Sequence, residues 1–206
     1  MEGVSMEFRA ILKHRKSVRA YEQRPIPSET LDRILATVRY APSAGFTQGN
    51  EYLVLDSAEA LADFWTLTDD PKDPIPDKMR STLPPVLILP LSNRRAYLDR
   101  YSQPDKAGFG LEDADNWPVP YWDIDAGMAS MLMLLAAIDE GLAAWFFGIS
   151  SGEKALLERF SVPAEFKPIG VIALGYPAAT DPLALTASSA RRRRRPTESL
   201  MHRNGW

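Results

Sequence analysis

The sequence predicts an α+β fold with a small sheet. Helix and strand patterns are interspersed, without the regular βαβ alternation of a doubly wound fold. Two short apolar runs, Pro85 to Leu91 and Ile169 to Leu174, read as strands buried on both faces. One long segment, Asp123 to Glu140, is apolar all round its middle, the pattern of a helix at a core centre or subunit contact. With 206 residues, 45% hydrophobic and 25% charged, the composition suits one globular domain over residues 1–206. There is no internal repeat.

The elements follow in order. Phe8, Ile11 and Leu12 share one face of a first helix over about Ser5 to His14. After Pro25 and Pro27, Ser28 is an N-cap candidate for a second helix striped by Leu31, Ile34, Leu35 and Val38. That helix ends before Pro42. Residues 42–50 form a loop, and Tyr52 to Leu55 a strand. Ser57 caps a short helix carrying Leu61, Phe64 and Trp65. A proline-rich loop over 69–77 precedes the first buried strand, whose ends both carry proline. Residues 92–122 lack periodicity and carry Tyr97, Tyr101, Phe109, Trp117, Tyr121 and Trp122; they are expected to form a lid-like excursion. Gly141 ends the long helix. A strand over Ala144 to Ile149, a helix over Ser151 to Phe160 and the second buried strand complete the pattern, and residues 184–206 form a basic tail.

Several chemistries are excluded or weakened. Cysteine is absent, which removes thiol nucleophiles and disulfides. The two histidines, His14 and His202, stand at opposite ends, so no metal site is expected. Neither GxxxxGK[ST] nor GxGxxG occurs, so a Rossmann or P-loop nucleotide domain is unsupported. Gly148-Ile149-Ser150-Ser151-Gly152 matches the GxSxG nucleophile elbow, and chain order allows Ser150, Asp181 and His202 as a hydrolase triad. The competing reading is a strand-to-helix turn with Ser151 as cap. The opening residues lack a signal-peptide pattern, and the apolar stretch Ala126 to Ile138 is shorter than a bilayer span. A cytoplasmic protein without a membrane partner is expected.

Charge is unevenly placed. The net charge is −3, yet residues 191–206 hold six arginines against one glutamate. A basic tail on an acidic body suggests a local anion site rather than a nucleic-acid face. Arg15, Lys16 and Arg19 flank Ser17 directly after the first helix. This set suits a phosphate, because guanidinium binds two oxygens and the hydroxyl adds a hydrogen bond. A solvated basic loop is the alternative for this stretch alone.

Arg15-Lys16-Ser17-Val18-Arg19-Ala20-Tyr21 resembles the opening R-R-S-x-R-x-[FY] motif of the FMN-dependent nitroreductase family. Ala41-Pro42-Ser43-Ala44 with Gln48 resembles its A-P-S-x-x-N-x-Q-P loop. Leu132 to Ala137 with Gly141-Leu142 resembles its long helix, and Trp145-Phe146-Phe147-Gly148 its C-W-I-G strand. Gly170 to Pro177 resembles the closing strand. Arg194-Arg195-Pro196 with Glu198 and His202 resembles the R-R-P-x-E-E-x-x-H tail. The six pieces occur in the family's order, and residues 92–122 fall outside them.

The resemblance implies a small, mostly antiparallel sheet surrounded by helices and an intertwined homodimer with FMN at the subunit contact. Arg15, Lys16, Ser17, Arg193 and Arg195 would meet the FMN phosphate, and Arg19 the pyrimidine edge of the flavin. The backbone of Phe147, Gly148 and Ile149 would approach its N5 and O4. Pro42, Ser43, Ala44 and Gln48 would contact the partner's flavin. NAD(P)H would donate hydride, then leave, and a small electron-poor acceptor such as a nitroaromatic or quinone would be reduced in ping-pong order. The cofactor carries this chemistry, so no side-chain catalyst is demanded. Phe46 stands where the family has Asn, and Gly49-Asn50 where it has Pro-Trp. Phe46, Trp117 and Tyr121 are the expected acceptor contacts. A specialised oxidase or dehydrogenase on the same fold remains the alternative direction.

Overall fold

A computed structural model describes residues 6–72, 74–181 and 192–206. At its centre is β2 (Val86–Ser92), every residue of which is buried. β2 pairs antiparallel with β1 (Asn50–Leu55), with Leu53 opposite Leu89, and with β5 (Val171–Gly175), with Leu87 opposite Ala173. β5 pairs antiparallel with β3 (Ala143–Phe147), and the short β4 (Lys167–Pro168) pairs with the far end of β2. The order β1-β2-β5-β3 places β1 and β3 on opposite sides of the sheet.

Strand alternation explains the continuous apolar runs. Leu87, Leu89 and Leu91 of β2 join Val171 and Ala173 of β5 in one core cluster. That cluster also holds Phe64 of α3 (Ala58–Thr68) and Leu156 of α7 (Glu153–Arg159). Val86 and Ile88 enter the opposite cluster with Ile172 and Leu174. There they meet Leu31 and Ile34 of α2 (Ser28–Ala36) and Met133, Leu134 and Ala137 of α6 (Tyr121–Asp139). A strand covered on both faces needs apolar residues at both parities.

Most expected elements are present, with shifts at the ends. α1 spans Phe8–His14. Ser28 lies inside α2, whose N-cap is Pro27 and lacks a side-chain cap. Ser57 does cap α3, accepting a hydrogen bond from Ala60 N at 3.2 Å. Pro90 lies inside β2 rather than at its end, and its carbonyl accepts from Ile169 N at 3.0 Å. α4 (Asp77–Arg80) is a single turn after the proline-rich loop.

One expectation needs correction. The 92–122 segment is not irregular throughout: Arg94–Tyr101 form α5, capped by the Asn93 side chain on Ala96 N. Its charged residues mask the apolar period, which reduces to the buried Tyr97. Within the protomer, α6 is covered on part of its surface. Asp125, Ala126, Ala129, Ser130, Met133 and Ala137 are buried, whereas Ile124, Met128 and Met131 remain 38–46% exposed. α6 meets the length and hydropathy of a membrane span, yet it packs on β2 and β3 as the central helix of this domain.

Candidate functional site

The cationic stretch is fixed by its apolar members. Val18, Ala20 and Tyr21 are buried, which turns Arg15, Lys16, Ser17 and Arg19 outward. Val18 N donates to Ala144 O at 3.2 Å, and Ser17 bridges Ala144 in parallel sense, so the stretch runs along the free edge of β3. Tyr21 closes it: its hydroxyl donates to Val18 O at 2.6 Å, and burial raises its pKa, keeping it a neutral donor. Among the described residues, Arg15, Lys16 and Arg19 form no ion pair with a carboxylate.

The same edge carries the end of β3. Arg19 lies over the Trp145 ring, 5.1 Å from its centroid. Trp145 stacks on Phe147 at 4.4 Å, and Phe147 lies parallel to Trp65 of α3 at 6.1 Å. Just beyond, Gly148 is exposed, and a Cβ there would meet nothing within 4 Å. Protein packing therefore does not require this glycine, whereas a flat ring lying on the backbone would. Unpaired cations, a hydroxyl and a bare backbone on one edge fit a phosphorylated planar cofactor.

The second group of predicted residues lies elsewhere in the protomer. Pro42, Ser43 and Gln48 line a cavity of about 190 Å³ with Asn50, Tyr52 and Ala129, beside β1 and α6. β1 and β3 are the first and last strands of the four-strand order, so three inter-strand steps of about 4.8 Å, roughly 14 Å, separate them. One protomer thus does not bring Ser43, Ala44, Phe46 and Gln48 to Arg15–Arg19.

Residues the sequence did not single out hold this second group. Ser43 Oγ accepts from Gln48 N at 3.0 Å. Asp125, 1% exposed, accepts from Ala44 N and from the Tyr97 hydroxyl, both at 2.8 Å through Oδ2. Arg100 Nε donates to Gly45 O at 2.9 Å, and its guanidinium pairs with Asp105. With its amide suitably oriented, Asn50 donates to Trp122 O at 3.2 Å and accepts from Ala126 N at 3.1 Å, entering the first turns of α6. Asp125 is the last charged residue before the uncharged run Ala126 to Ile138, and that position was its signal in the sequence.

The expected acceptor contacts separate. Phe46 is 74% exposed, with φ +55°. Tyr121 is 37% exposed. Trp117 is not open to an acceptor in the protomer: it is buried among Tyr97, Tyr101, Tyr121 and Trp122, and its indole donates to Leu111 O at 2.8 Å. The 92–122 segment therefore supports the 43–48 loop instead of hanging over it as a lid.

In the tail, Arg193 and Arg195 are exposed, and Arg195 donates to the Ser199 carbonyl in a local turn. Among the described residues, no hydrogen bond or ion pair joins the tail to residues 15–19. Arg191 lies outside the described residues. Within the GxSxG match, Gly152 is the N-cap of α7 at φ +74°, and a Cβ there would overlap the Leu67 carbonyl oxygen. His202 stacks on Trp206 at 4.2 Å, and no hydrogen bond joins it to Ser150. The match thus has a packing explanation.

Comparison with known proteins identifies the family and the fold. The nitroreductase family model matches residues 12–176. A protein of Methanothermobacter thermautotrophicus, provisionally named an NADH dehydrogenase/NAD(P)H nitroreductase, is 27% identical over 182 residues, covering 84% of this chain and 78% of that protein. A counterpart of the same provisional name from Archaeoglobus fulgidus is 28% identical over 166 residues, 79% of this chain and 81% of its own. Among solved structures, a nitroreductase family protein of Clostridium difficile superposes with a TM-score of 0.70 at 21% identity, covering 98% of this chain and all of that one. A provisionally named nitroreductase of Exiguobacterium sibiricum, solved in complex with FMN, gives 0.68 at 22% identity, covering 96% and 97%. At such identities the structural likeness speaks for the fold alone.

Proposed function

The chain belongs to the nitroreductase family, and from that premise we propose that it is an FMN-dependent homodimeric oxidoreductase. It takes reducing equivalents from NAD(P)H and passes them to a small electron-poor acceptor, a nitroaromatic or quinone, in alternating half-reactions. FMN, when bound, supplies reversible hydride acceptance and donation. The observation that carries this reading is a cationic stretch, without a carboxylate partner among the described residues, beside the bare Gly148 backbone on one sheet edge.

Each residue has a physical task. Arg15, Lys16 and Ser17 hold the phosphate, which carries close to two negative charges at neutral pH. Arg19 is a fixed cation at the ring edge where reduction builds negative charge, so it favours the reduced cofactor. Its contact with Trp145 holds the guanidinium in place. The backbone at 147–149 leaves room for the ring. Arg193 and Arg195, exposed in the protomer, would add to the phosphate site on a rearrangement of the tail.

The separation of the two residue groups supports a dimer. Pro42, Ser43, Ala44, Phe46 and Gln48 sit beside β1, across the sheet from the cationic edge. A second copy can bring that loop to the first copy's cofactor. The apolar surface needed is present: Phe8 and Leu12 of α1 and Ile124, Met128 and Met131 of α6 are all exposed, and α1 packs on α6. An exposed apolar face of this kind marks a protein contact.

The test is the visible absorption spectrum of the purified protein before and after NADPH under nitrogen, with the released chromophore identified. Release of FMN and bleaching by NADPH is the expected result. A yellow protein that neither NADH nor NADPH bleaches would favour the oxidase direction. A colourless protein that refuses added FMN would overturn the reading.

A further inference from the structure

We propose that Asp125 is a positioning residue that presets the 43–48 loop and thereby selects flat aromatic acceptors. This rests on the function proposed above, in which the loop faces the partner's cofactor. The loop is unusual in its backbone. Gly45, Phe46 and Gln48 all have positive φ, at 60°, 55° and 54°. For Phe and Gln this conformation is unfavourable and persists only where surrounding contacts fix it.

Those contacts converge on Asp125. Its Oδ2 accepts the Ala44 amide and the Tyr97 hydroxyl, both at 2.8 Å, and the residue is 1% exposed. A buried carboxylate strengthens such bonds and tolerates no loss of a donor. Arg100 grips the next carbonyl, Gly45 O, at 2.9 Å while its other nitrogens pair with Asp105 at 2.7 Å. Tyr101 lies against Gly45 closely enough that a Cβ there would fall 2.8 Å from its ring. The loop is thus clamped at two consecutive residues, one before Phe46 and the next before that.

The consequence is the placement of Phe46. Its ring stands 74% exposed on a backbone that is held rather than free. An aromatic face presented without ordering cost stacks on a planar acceptor more favourably than a mobile one does. A compact inorganic acceptor that needs no stacking gains nothing from it.

The experiment uses the FMN-loaded enzyme and two acceptors, a flat quinone (menadione) and ferricyanide. The variants are Asp125→Ala, the gentler Asp125→Asn, and Arg100→Met, whose side chain is partly exposed. FMN content and the rate of bleaching by NADPH are measured alongside, together with hydrogen exchange at residues 44–48. All assays are run at saturating FMN, because Ser43, Ala44 and Gln48 of the same loop face the partner's cofactor. The expected result is then a rise of about tenfold in KM for menadione, with kcat, bleaching and ferricyanide turnover within about twofold of wild type, and faster exchange in the loop. Equal losses with both acceptors, or an unchanged menadione KM in variants whose loop exchange has risen, would overturn the proposal. If Asp125→Ala fails to fold, Arg100→Met decides by the same criteria. Failure of the underlying function is distinct, because it appears in the wild type as absent FMN or absent bleaching.

Discussion

The Arg19 guanidinium lies over the Trp145 indole, 5.1 Å from the ring centroid. This contact ties a residue of the opening motif to β3, more than a hundred positions later in the chain. It orients a cation that would otherwise be free to sweep solvent, since a cation–π contact is worth about 0.5–1 kcal/mol at an exposed site.

Arg19→Gln should therefore leave FMN bound and make the flavin harder to reduce. Loss of about 1.4 kcal/mol of stabilisation of the reduced form lowers a two-electron potential by about 30 mV. Trp145→Ala should shift it the same way by less. Dye-equilibrated redox titration reads both, and an unchanged potential in Arg19→Gln would remove Arg19 from the ring edge.

Arg15→Ala and Ser17→Ala should weaken FMN retention, the arginine more, because a hydrogen bond to a charged group is worth about 1.5–3 kcal/mol. The factor expected for Arg15 is about tenfold to a hundredfold in Kd, shrinking as salt is added. Arg195→Ala in the same titration tests the tail: an FMN affinity equal to wild type would place that arginine outside the phosphate site.

Gly148 and Gly152 stand four residues apart and should respond oppositely. Gly152→Ala forces a Cβ into the Leu67 carbonyl at a positive φ, so it should cost about 3 kcal/mol or more and lower Tm by many degrees. Gly148→Ala meets open space and should leave Tm of the FMN-free protein unchanged while reducing FMN affinity. Calorimetry with flavin titration separates the two.

Met131→Glu should convert a dimer to a monomer, since a charge placed on the exposed apolar face of α6 cannot be buried without a partner. Light scattering reads the mass, and FMN should be lost with the partner. A variant that stays dimeric and yellow would move the contact off α6.

Stability should fall in alkali. Burial raises the pKa of Tyr21, Tyr52 and Tyr97, that of Tyr52 to about 12. In the unfolded chain tyrosine ionises near pH 10, so the folded form is favoured below that value. Its advantage is lost as pH rises from about 10 toward the folded pKa, by roughly 1.4 kcal/mol per pH unit for each tyrosine. Urea unfolding at pH 9 and 11 measures the slope, and Tyr52→Phe should reduce it by one tyrosine's share.

The class and the order of elements are legible in the chain alone. Alternation in β2 and β5 sets two buried faces, and the motif Arg15 to Tyr21 already contains both its anchors, Val18, Ala20 and Tyr21, and its outward cations. Such patterns are local, so a single chain segment records them. The helix Arg94–Tyr101 was hidden because most of its residues face water and impose no apolar period. Strand order, visible in the folded protein alone, sets β1 and β3 at opposite sides of the sheet, which divides the predicted cofactor contacts between two places. The same folding decides that Asp125 meets Ala44 across 81 positions, and that Trp117 is a buried support. Hydrogen bonds and packing between distant segments depend on strand order and chain crossing, and no short window of sequence carries either.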